Sequence, residues 1–423
     1  MRILFILHQF FPEFHGGTER VTVNLARMAQ RAGHYVHVLA CTVEPAKCGG
    51  TPTDGGGSLT GAFGASYQGL PVTLLPRAEL PATADISLDT YESMVERLTV
   101  WMRQQRFDVA HVMHTMRMGS AVLAAQRCGL PYILTLTDFF LPCARINLIN
   151  GENNPCVGPD AGRRCGQDCA TAAWTTVGYV NRFAQAQAII QAAGARVAPS
   201  EYVAQRYRDA FEDAHIQVIS HGIDLLAMGA ALDRLPPAPS ATAHLNLLFI
   251  GSIVPQKGLD VLLRALALVP HANVKLKVVG GFFGNPAYHH QIKQLARMDS
   301  RVELTGALDA AQVFQALGQA DLLCLPSIVP ESFSLVFHEA AAVGVPALVT
   351  HLGAPAQHVY AHVCGRVLDA GNTRAWADAI DELVKTPETL RSWKKKLFLP
   401  ARMEEEAFLY DTLYKRLRLQ GVS

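Results

Sequence analysis

The sequence predicts an α/β protein of two doubly wound domains, each a parallel sheet with helices on both faces. Three observations predict it. Short runs rich in Val, Ile and Leu alternate with longer amphipathic stretches almost throughout the 423 residues. The apolar runs are continuous, as in strands buried on both faces. They also fall into two series, parted by a stretch at 225–245 with Pro236, Pro237, Pro239 and Ser240 and little periodicity.

The first series reads as strands at 2–7, 35–40, 108–113, 132–136, 195–198 and 216–220, with helices at 18–32 and 89–105. The second reads as strands at 246–251, 274–279, 301–305, 321–325 and 346–350, with helices at 259–268, 309–318 and 333–343. Each half has the size of one doubly wound domain, 1–225 and 240–400, and the two are expected to face each other across a cleft. A last helix near 404–419 lies beyond Pro400, and the tail 404–423 is expected to return to the first domain. Residues 44–69 hold eight glycines and read as a mobile surface loop. Residues 138–170 hold four cysteines and no period.

Composition excludes some functions. Hydrophobic residues make up 50% and charged residues 17%, so the chain can bury large cores and is not disordered. The 37 basic and 36 acidic residues leave a formal charge of +1, which argues against a general nucleic-acid binder. No apolar run reaches the ~18 residues of a membrane span. Ile3 to Leu7 is too short for a signal peptide and reads as a buried first strand, which points to a cytoplasmic protein whose cysteines are reduced or bind metal.

The densest chemistry lies in Pro330-Glu331-Ser332-Phe333-Ser334-Leu335-Val336-Phe337-His338-Glu339. It follows a strand and opens a helix near Phe333, so the amides of Phe333, Ser334 and Leu335 form an anion or polyol site. Glu331 and Glu339 suit the paired hydroxyls of a sugar, or are ordinary carboxylates at a helix start. A second element, Gly251-Ser252-Ile253-Val254-Pro255-Gln256-Lys257-Gly258, also joins a strand to a helix; Lys257 is either a phosphate ligand or solvated. A third runs from His8 to Glu19, where Gly16-Gly17 lets backbone approach a ligand or simply makes a turn. His111 and His114 end the strand 108–113 and are candidates for acceptor or sugar contacts.

In order, these elements resemble the large GT4-type family of retaining glycosyltransferases. The resemblance runs through Gly16-Gly17-Thr18-Glu19, Pro199-Ser200-Glu201, Gly222-Ile223-Asp224, Gly251…Lys257-Gly258, Glu331-x7-Glu339 and Gly344-Val345-Pro346. It implies the GT-B fold of two Rossmann-like domains, the first binding acceptor and the second a nucleotide-sugar donor. It implies that Glu339 holds the donor ribose and that Glu331, Phe333, Ser334 and Leu335 hold sugar and diphosphate. Lys257 would neutralise the leaving diphosphate, with Gly16, Gly17 and Ser252 in the donor site and Glu331, Lys257, His111 and Asp138 as the catalytic set. No divalent ion is implied for the reaction. The acceptor would be a glycan, a lipid-linked sugar or a small molecule, in cell-surface polysaccharide or glycoconjugate synthesis. A degenerate transferase that only binds a nucleotide sugar or glycan is the alternative, and a UDP-sugar epimerase of related build is a third reading.

Three positions depart from the family pattern. Ser252 stands where Arg is usual, Thr137 where His is common, and Gln357 where Glu is frequent. Cys143, Cys156, Cys165 and Cys169 are read as a structural zinc or [4Fe–4S] site, with two disulfides and free thiols as the other readings. A similar insertion occurs in a subset of the resembling sequences. Trp393-Lys394-Lys395-Lys396-Leu397-Phe398 reads as a solvated face, or as a contact with the inner face of an anionic membrane.

Overall fold

The computed structural model describes all residues except 53–58, 60, 172–173, 213, 235–243 and 421–423. The Pro-rich part of the expected linker therefore lies outside the described residues. The chain forms two compact units, one of Met1–His221 with Met403–Ser423 and one of Gly222–Arg402.

Unit 1 holds strands β1 (Arg2–Leu7), β2 (Tyr35–Thr42), β3 (Thr51–Pro52), β4 (Phe63–Tyr67), β5 (Leu70–Pro76), β6 (Val109–Val112), β7 (Tyr132–Thr135), β8 (Ala195–Ala198) and β9 (Gln217–Val218). They form one sheet in the order β3-β4-β5-β2-β1-β6-β7-β8-β9. Neighbours pair in parallel except β3–β4 and β4–β5. Ile3 to Leu7 are fully buried, which is why this run lacks polar alternation. Leu4 and Ile6 share a core with Leu98 and Val122 of the helices Glu92–Gln105 and Gly119–Arg127.

Of the glycine-rich stretch 44–69, expected as a mobile surface loop, 53–58 and 60 lie outside the described residues, and several of the rest are in regular elements. Phe63 to Tyr67 pair antiparallel with Leu70 to Leu74, and Pro45–Cys48 forms a 3₁₀ turn. The segment Leu225–Leu232, read as linker, is a helix, because Asp224 caps it through Ala227 N–H at 2.9 Å. The closing helix Met403–Gln420 packs into unit 1: His34 Nε2 meets Asp411 Oδ1 at 2.7 Å, and His221 Nδ1 meets Glu406 Oε1 at 2.8 Å.

Unit 2 holds β10 (Leu245–Ile250), β11 (Val274–Val279), β12 (Val302–Gly306), β13 (Leu322–Leu325), β14 (Ala347–Thr350) and β15 (Gly365–Leu368). All pair in parallel, in the order β12-β11-β10-β13-β14-β15. Alternate residues serve opposite faces. Leu247, Phe249, Leu276 and Cys324 pack against the helices Leu259–Leu268 and Thr373–Lys385; Leu248, Leu323 and Val349 pack against Ala310–Gly318 and Leu335–Ala342. The chain leaves β10 toward β11 on one side and reaches β13 on the other, so the order reverses between β10 and β13. In unit 1 it reverses between β1 and β6. Open α/β sheets bind ligands at the carboxyl ends of such strands.

Candidate functional site

Both carboxyl ends beside the unit 2 switch point carry charge. β10 runs into Gly251 and then a 3₁₀ turn, Pro255–Lys257, and β13 runs into the loop that bears Glu331. Two glycines fix these loops. Gly258 has φ +63°, and a Cβ there would lie 2.0 Å from the Pro326 carbonyl oxygen. The turn is also tied across by Ile328 N–H donating to the Gln256 carbonyl at 2.9 Å. Gly353 has φ +100°, and a Cβ there would lie 2.4 Å from Glu331 N. Its neighbour Ala354 donates its N–H to the Glu331 carbonyl at 2.9 Å.

Held this way, Lys257 Nζ donates to Glu331 Oε1 at 2.6 Å, and Ser327 Oγ donates to the same oxygen. Ser327 is itself anchored, its carbonyl accepting from Thr350 Oγ1 at 2.8 Å. Burial raises the Glu331 pKa, but the Lys257 charge and the hydrogen bonds from Lys257 and Ser327 outweigh it. The carboxyl is held below the usual range and stays ionised. Ser327 was not singled out in the sequence; its position four residues before Glu331 is the only signal it left.

The helix expected from Phe333 begins at Leu335. Ser334 precedes it with φ +68°, a left-handed conformation that a residue with a side chain adopts only where its surroundings impose it. The first-turn amides thus belong to Leu335 and Val336, since Phe337 N–H already bonds the Ser334 carbonyl. Glu339 lies in this helix and is 1% exposed. Ser252 is exposed and supplies no charge. A cavity of unit 2, about 400 Å³, lies elsewhere, among Asn246, Lys275, Lys277, Arg301 and Glu303. Those residues sit toward the amino ends of the strands, so chemistry and not cavity size locates the site.

At the unit 1 switch point, His8 follows β1 and His114 follows β6, their ring centroids 3.9 Å apart. His114 Nδ1 accepts from Met116 N–H at 3.1 Å, so its proton sits on Nε2 and is donated to Asp138 Oδ2 at 2.7 Å. Asp138 Oδ1 accepts from Phe140 N–H at 2.9 Å. Burial, reinforced by the neighbouring His114 and Arg117, pushes the His8 pKa well down, so His8 is neutral. Thr137 spends its hydroxyl on the Met113 carbonyl at 3.2 Å. Gly16 and Gly17 are exposed at the start of the helix Gly17–Arg31.

His111 differs from the expectation of a ligand contact. It is fully buried, with Nδ1 2.6 Å from Tyr414 Oη and Nε2 2.7 Å from Thr135 Oγ1. Burial pushes its pKa down to about 3. The ring joins the sheet to the closing helix, and both nitrogens are spent in doing so.

The expected metal centre is not built. Among the described residues no three His, Cys, Asp or Glu side chains are grouped to hold a metal ion, and all nine cysteines are free. Burial raises the pKa of the Cys143 and Cys169 thiols and pushes Cys165 up to about 12, which keeps them protonated. Segment 138–170 does not need a metal staple, because Phe139, Phe140, Leu141, Leu148 and Ile149 enter the unit 1 core. Arg182, 3% exposed, fastens it further by donating to the Leu141 carbonyl at 2.8 Å, the Phe140 carbonyl, and the Ile86 carbonyl at 2.7 Å.

The basic–aromatic motif also divides. Trp393 is 6% exposed in the unit 2 core, and Phe398 stacks on His358 at 4.7 Å, which leaves the three lysines without the expected outward aromatics. Among the described residues no helix is long and apolar enough to cross a membrane.

Known proteins resemble the chain in both halves. The family "Glycosyltransferase Family 4" matches residues 15–225, and "Glycosyl transferases group 1" matches residues 239–397. The D-inositol 3-phosphate glycosyltransferase of Rhodococcus jostii is 33% identical over 193 residues, covering 40% of this chain and 41% of that protein. That of Arthrobacter sp. FB24 is 27% identical over 331 residues, covering 75% and 71%. The chain thus spans about two fifths of the length of the Rhodococcus relatives it matches. Among solved structures, sucrose-phosphate synthase from Thermosynechococcus elongatus aligns over 98% of both chains at TM-score 0.68 and 18% identity. HepE of Anabaena in complex with UDP and glucose aligns over 97% of this chain and 98% of that one, at TM-score 0.67 and 16% identity. At these identities the likeness is one of fold.

Proposed function

The chain belongs to the glycosyltransferases, with a family 4 amino-terminal half and a group 1 carboxyl-terminal half, and from that premise we propose that it moves a sugar, with retention, from a nucleotide diphosphate donor to an acceptor hydroxyl. The Lys257–Glu331 pair at the unit 2 switch point carries this reading. It puts a cation and an ionised carboxylate, 2.6 Å apart, beside a helix start. A departing diphosphate needs a cation and backbone donors; a donor sugar needs a carboxylate that accepts from hydroxyls.

In this reading unit 2 takes the donor. Lys257 and the amides of Leu335 and Val336 meet the diphosphate, Glu331 the sugar, and Glu339 the ribose. The bond from the anomeric carbon to the diphosphate breaks through an oxocarbenium-like state. The acceptor oxygen bonds to the same face, and the diphosphate takes the acceptor's proton. Unit 1 takes the acceptor, with Asp138 at its switch point. UDP is the favoured donor nucleotide, since HepE is described in complex with UDP-glucose. A polyol or sugar is the favoured acceptor class, since relatives are named for inositol 3-phosphate.

Exposed Ser252 and the engaged Thr137 hydroxyl favour the second reading, a protein that binds a nucleotide sugar without turning it over. A panel of UDP-, GDP- and ADP-sugars decides between them. Slow nucleotide release from one donor, lost in Glu331→Ala and Lys257→Ala, supports the transferase. Tight binding of a donor with no release, even with sugar and polyol acceptors present, supports the binding protein.

A further inference from the structure

β11 lies between β10 and β12 in the unit 2 sheet, and an interior strand of a parallel sheet is normally apolar on both faces. β11 is not. Val274, Leu276 and Val278 enter the core on one face, while Lys275 is exposed and Lys277 half-buried on the other. On that second face the register sets Lys277 beside Leu248 of β10 and Glu303 of β12. The helix Ala310–Gly318 covers this face over Leu248 and Leu323. Beside the end of that helix the cover stops, and the cavity of about 400 Å³ opens, lined by Leu248, Lys275, Lys277, Glu303, Ala316 and Gln319. Its volume is in the usual range for small-molecule sites.

Two cations are available there. Neither Lys275 nor Lys277 has a hydrogen-bond or ion-pair partner among the described residues. Arg301 also borders the cavity, but its guanidinium is spent on Asp299 and on the carbonyls of Leu266 at 2.6 Å and Val269 at 2.8 Å. Residues two apart on one strand face stand about 7 Å from each other, so two ammonium groups so spaced can close on one phosphate. The opposite wall differs. The carboxyl end of the helix is the negative end of its dipole, which disfavours phosphate there and leaves that side to hydroxyls. Glu303 and Gln319 can both bond hydroxyls. Leu248 and Ala316 are buried and give the ring of a sugar an apolar floor. Among the described lining residues none is a large exposed apolar side chain, as a lipid surface would need.

We propose that this cavity is a second binding site of unit 2, for a soluble sugar phosphate: Lys275 and Lys277 hold the phosphate, and Glu303 and Gln319 take the sugar hydroxyls. β10 and β11 are each six residues long, so the cavity at their amino ends lies about 20 Å from the loops at their carboxyl ends. A ligand here does not touch Lys257. The proposal stands apart from the transferase reading above.

The test is calorimetric titration of inorganic phosphate, glucose 6-phosphate and mannose 6-phosphate into wild type, Lys275→Ala, Lys277→Ala, Glu303→Ala and Lys257→Ala. Wild type should bind inorganic phosphate with a Kd of about 1–10 mM and at least one sugar phosphate about tenfold more tightly. Lys275→Ala and Lys277→Ala should each weaken both at least about fivefold, and Lys257→Ala should shift neither by more than about twofold. Glu303→Ala removes a repelling charge and a hydroxyl acceptor together, so it should tighten inorganic phosphate and erase the preference for the sugar phosphate. No saturable binding of any probe up to about 50 mM overturns the proposal. So does binding that is lost in Lys257→Ala and kept in Lys275→Ala and Lys277→Ala, which places the probe in the donor site. Flotation on vesicles containing phosphatidic acid that needs both lysines, with no binding of the soluble probes, overturns it as well and assigns the face to a membrane.

Discussion

Lys257 and Glu331 lie 74 residues apart in the chain, yet Nζ and Oε1 meet at 2.6 Å. Neither loop could hold that geometry alone; β10 and β13 bring the loops side by side, and Gly258 and Gly353 let the backbones close in. Because the two side chains work as one unit, their losses should not add. Lys257→Ala and Glu331→Ala should each lower kcat/KM for nucleotide release on the order of 10²–10³-fold. The double variant should fall only slightly further. Steady-state rates with one donor check this, and fully additive losses would count against a coupled pair.

The glycines give a stability prediction. Gly258→Ala forces a side chain into a left-handed φ and against the Pro326 carbonyl. It should cost at least on the order of 1–3 kcal/mol and reduce turnover as well. Gly251→Ala is the contrast: the nearest atom to its Cβ would be Phe249 Cζ at 3.7 Å, ordinary contact. It should stay within about 1 kcal/mol of wild type. Denaturant unfolding of both variants measures the difference.

The depressed Glu331 carboxyl predicts a pH dependence. A group whose folded pKa lies below its unfolded value contributes stability that is fully present above the unfolded pKa, near 4.3. That stability is lost as pH falls through the lower folded value. Unfolding temperatures of wild type and Glu331→Gln should therefore differ by a constant amount between about pH 6 and 8 and converge between about pH 5 and 3. A constant gap down to pH 3 would contradict the ion pair.

His111 should behave as a structural residue. Alanine there strands the Tyr414 hydroxyl in a buried place and removes one of the two partners of the Thr135 hydroxyl, which keeps Tyr410. The cost should be on the order of 2–4 kcal/mol. Turnover per folded molecule, measured well below the unfolding temperature, should stay within about threefold of wild type. A hundredfold loss with the fold intact would restore His111 to the reacting site.

The free thiols are directly countable. Titration of the denatured, unreduced protein should find nine. Because the core and Arg182 hold segment 138–170, a strong chelator should leave the unfolding temperature unchanged. A drop of several degrees would mean that metal holds the segment.

The fold was readable because buried parallel strands leave continuous apolar runs: Ile3 to Leu7 and Leu322 to Leu325 stand out in the sequence alone. β4 was hidden, since Phe63-Gly64-Ala65-Ser66 looks like loop until Leu70 to Leu74 pair with it. Glu331 and Lys257 stand out through their place after a strand, and the structure brings them together, but Ser327 has no such mark, being a serine four residues away. His111 and the cysteines misled for one reason: their chemistry depends on what surrounds them. His111 meets Tyr414, 303 residues away, and the four cysteines sit in a segment whose apolar residues join a distant core.

The most direct test of the donor site is to titrate a single UDP-sugar into wild type, Lys257→Ala and Glu331→Ala while following both heat and UDP release. The account predicts saturable binding with slow release in wild type, and loss of both in either variant. Equal binding and release in all three proteins would contradict it, and would move the donor site away from the ends of β10 and β13.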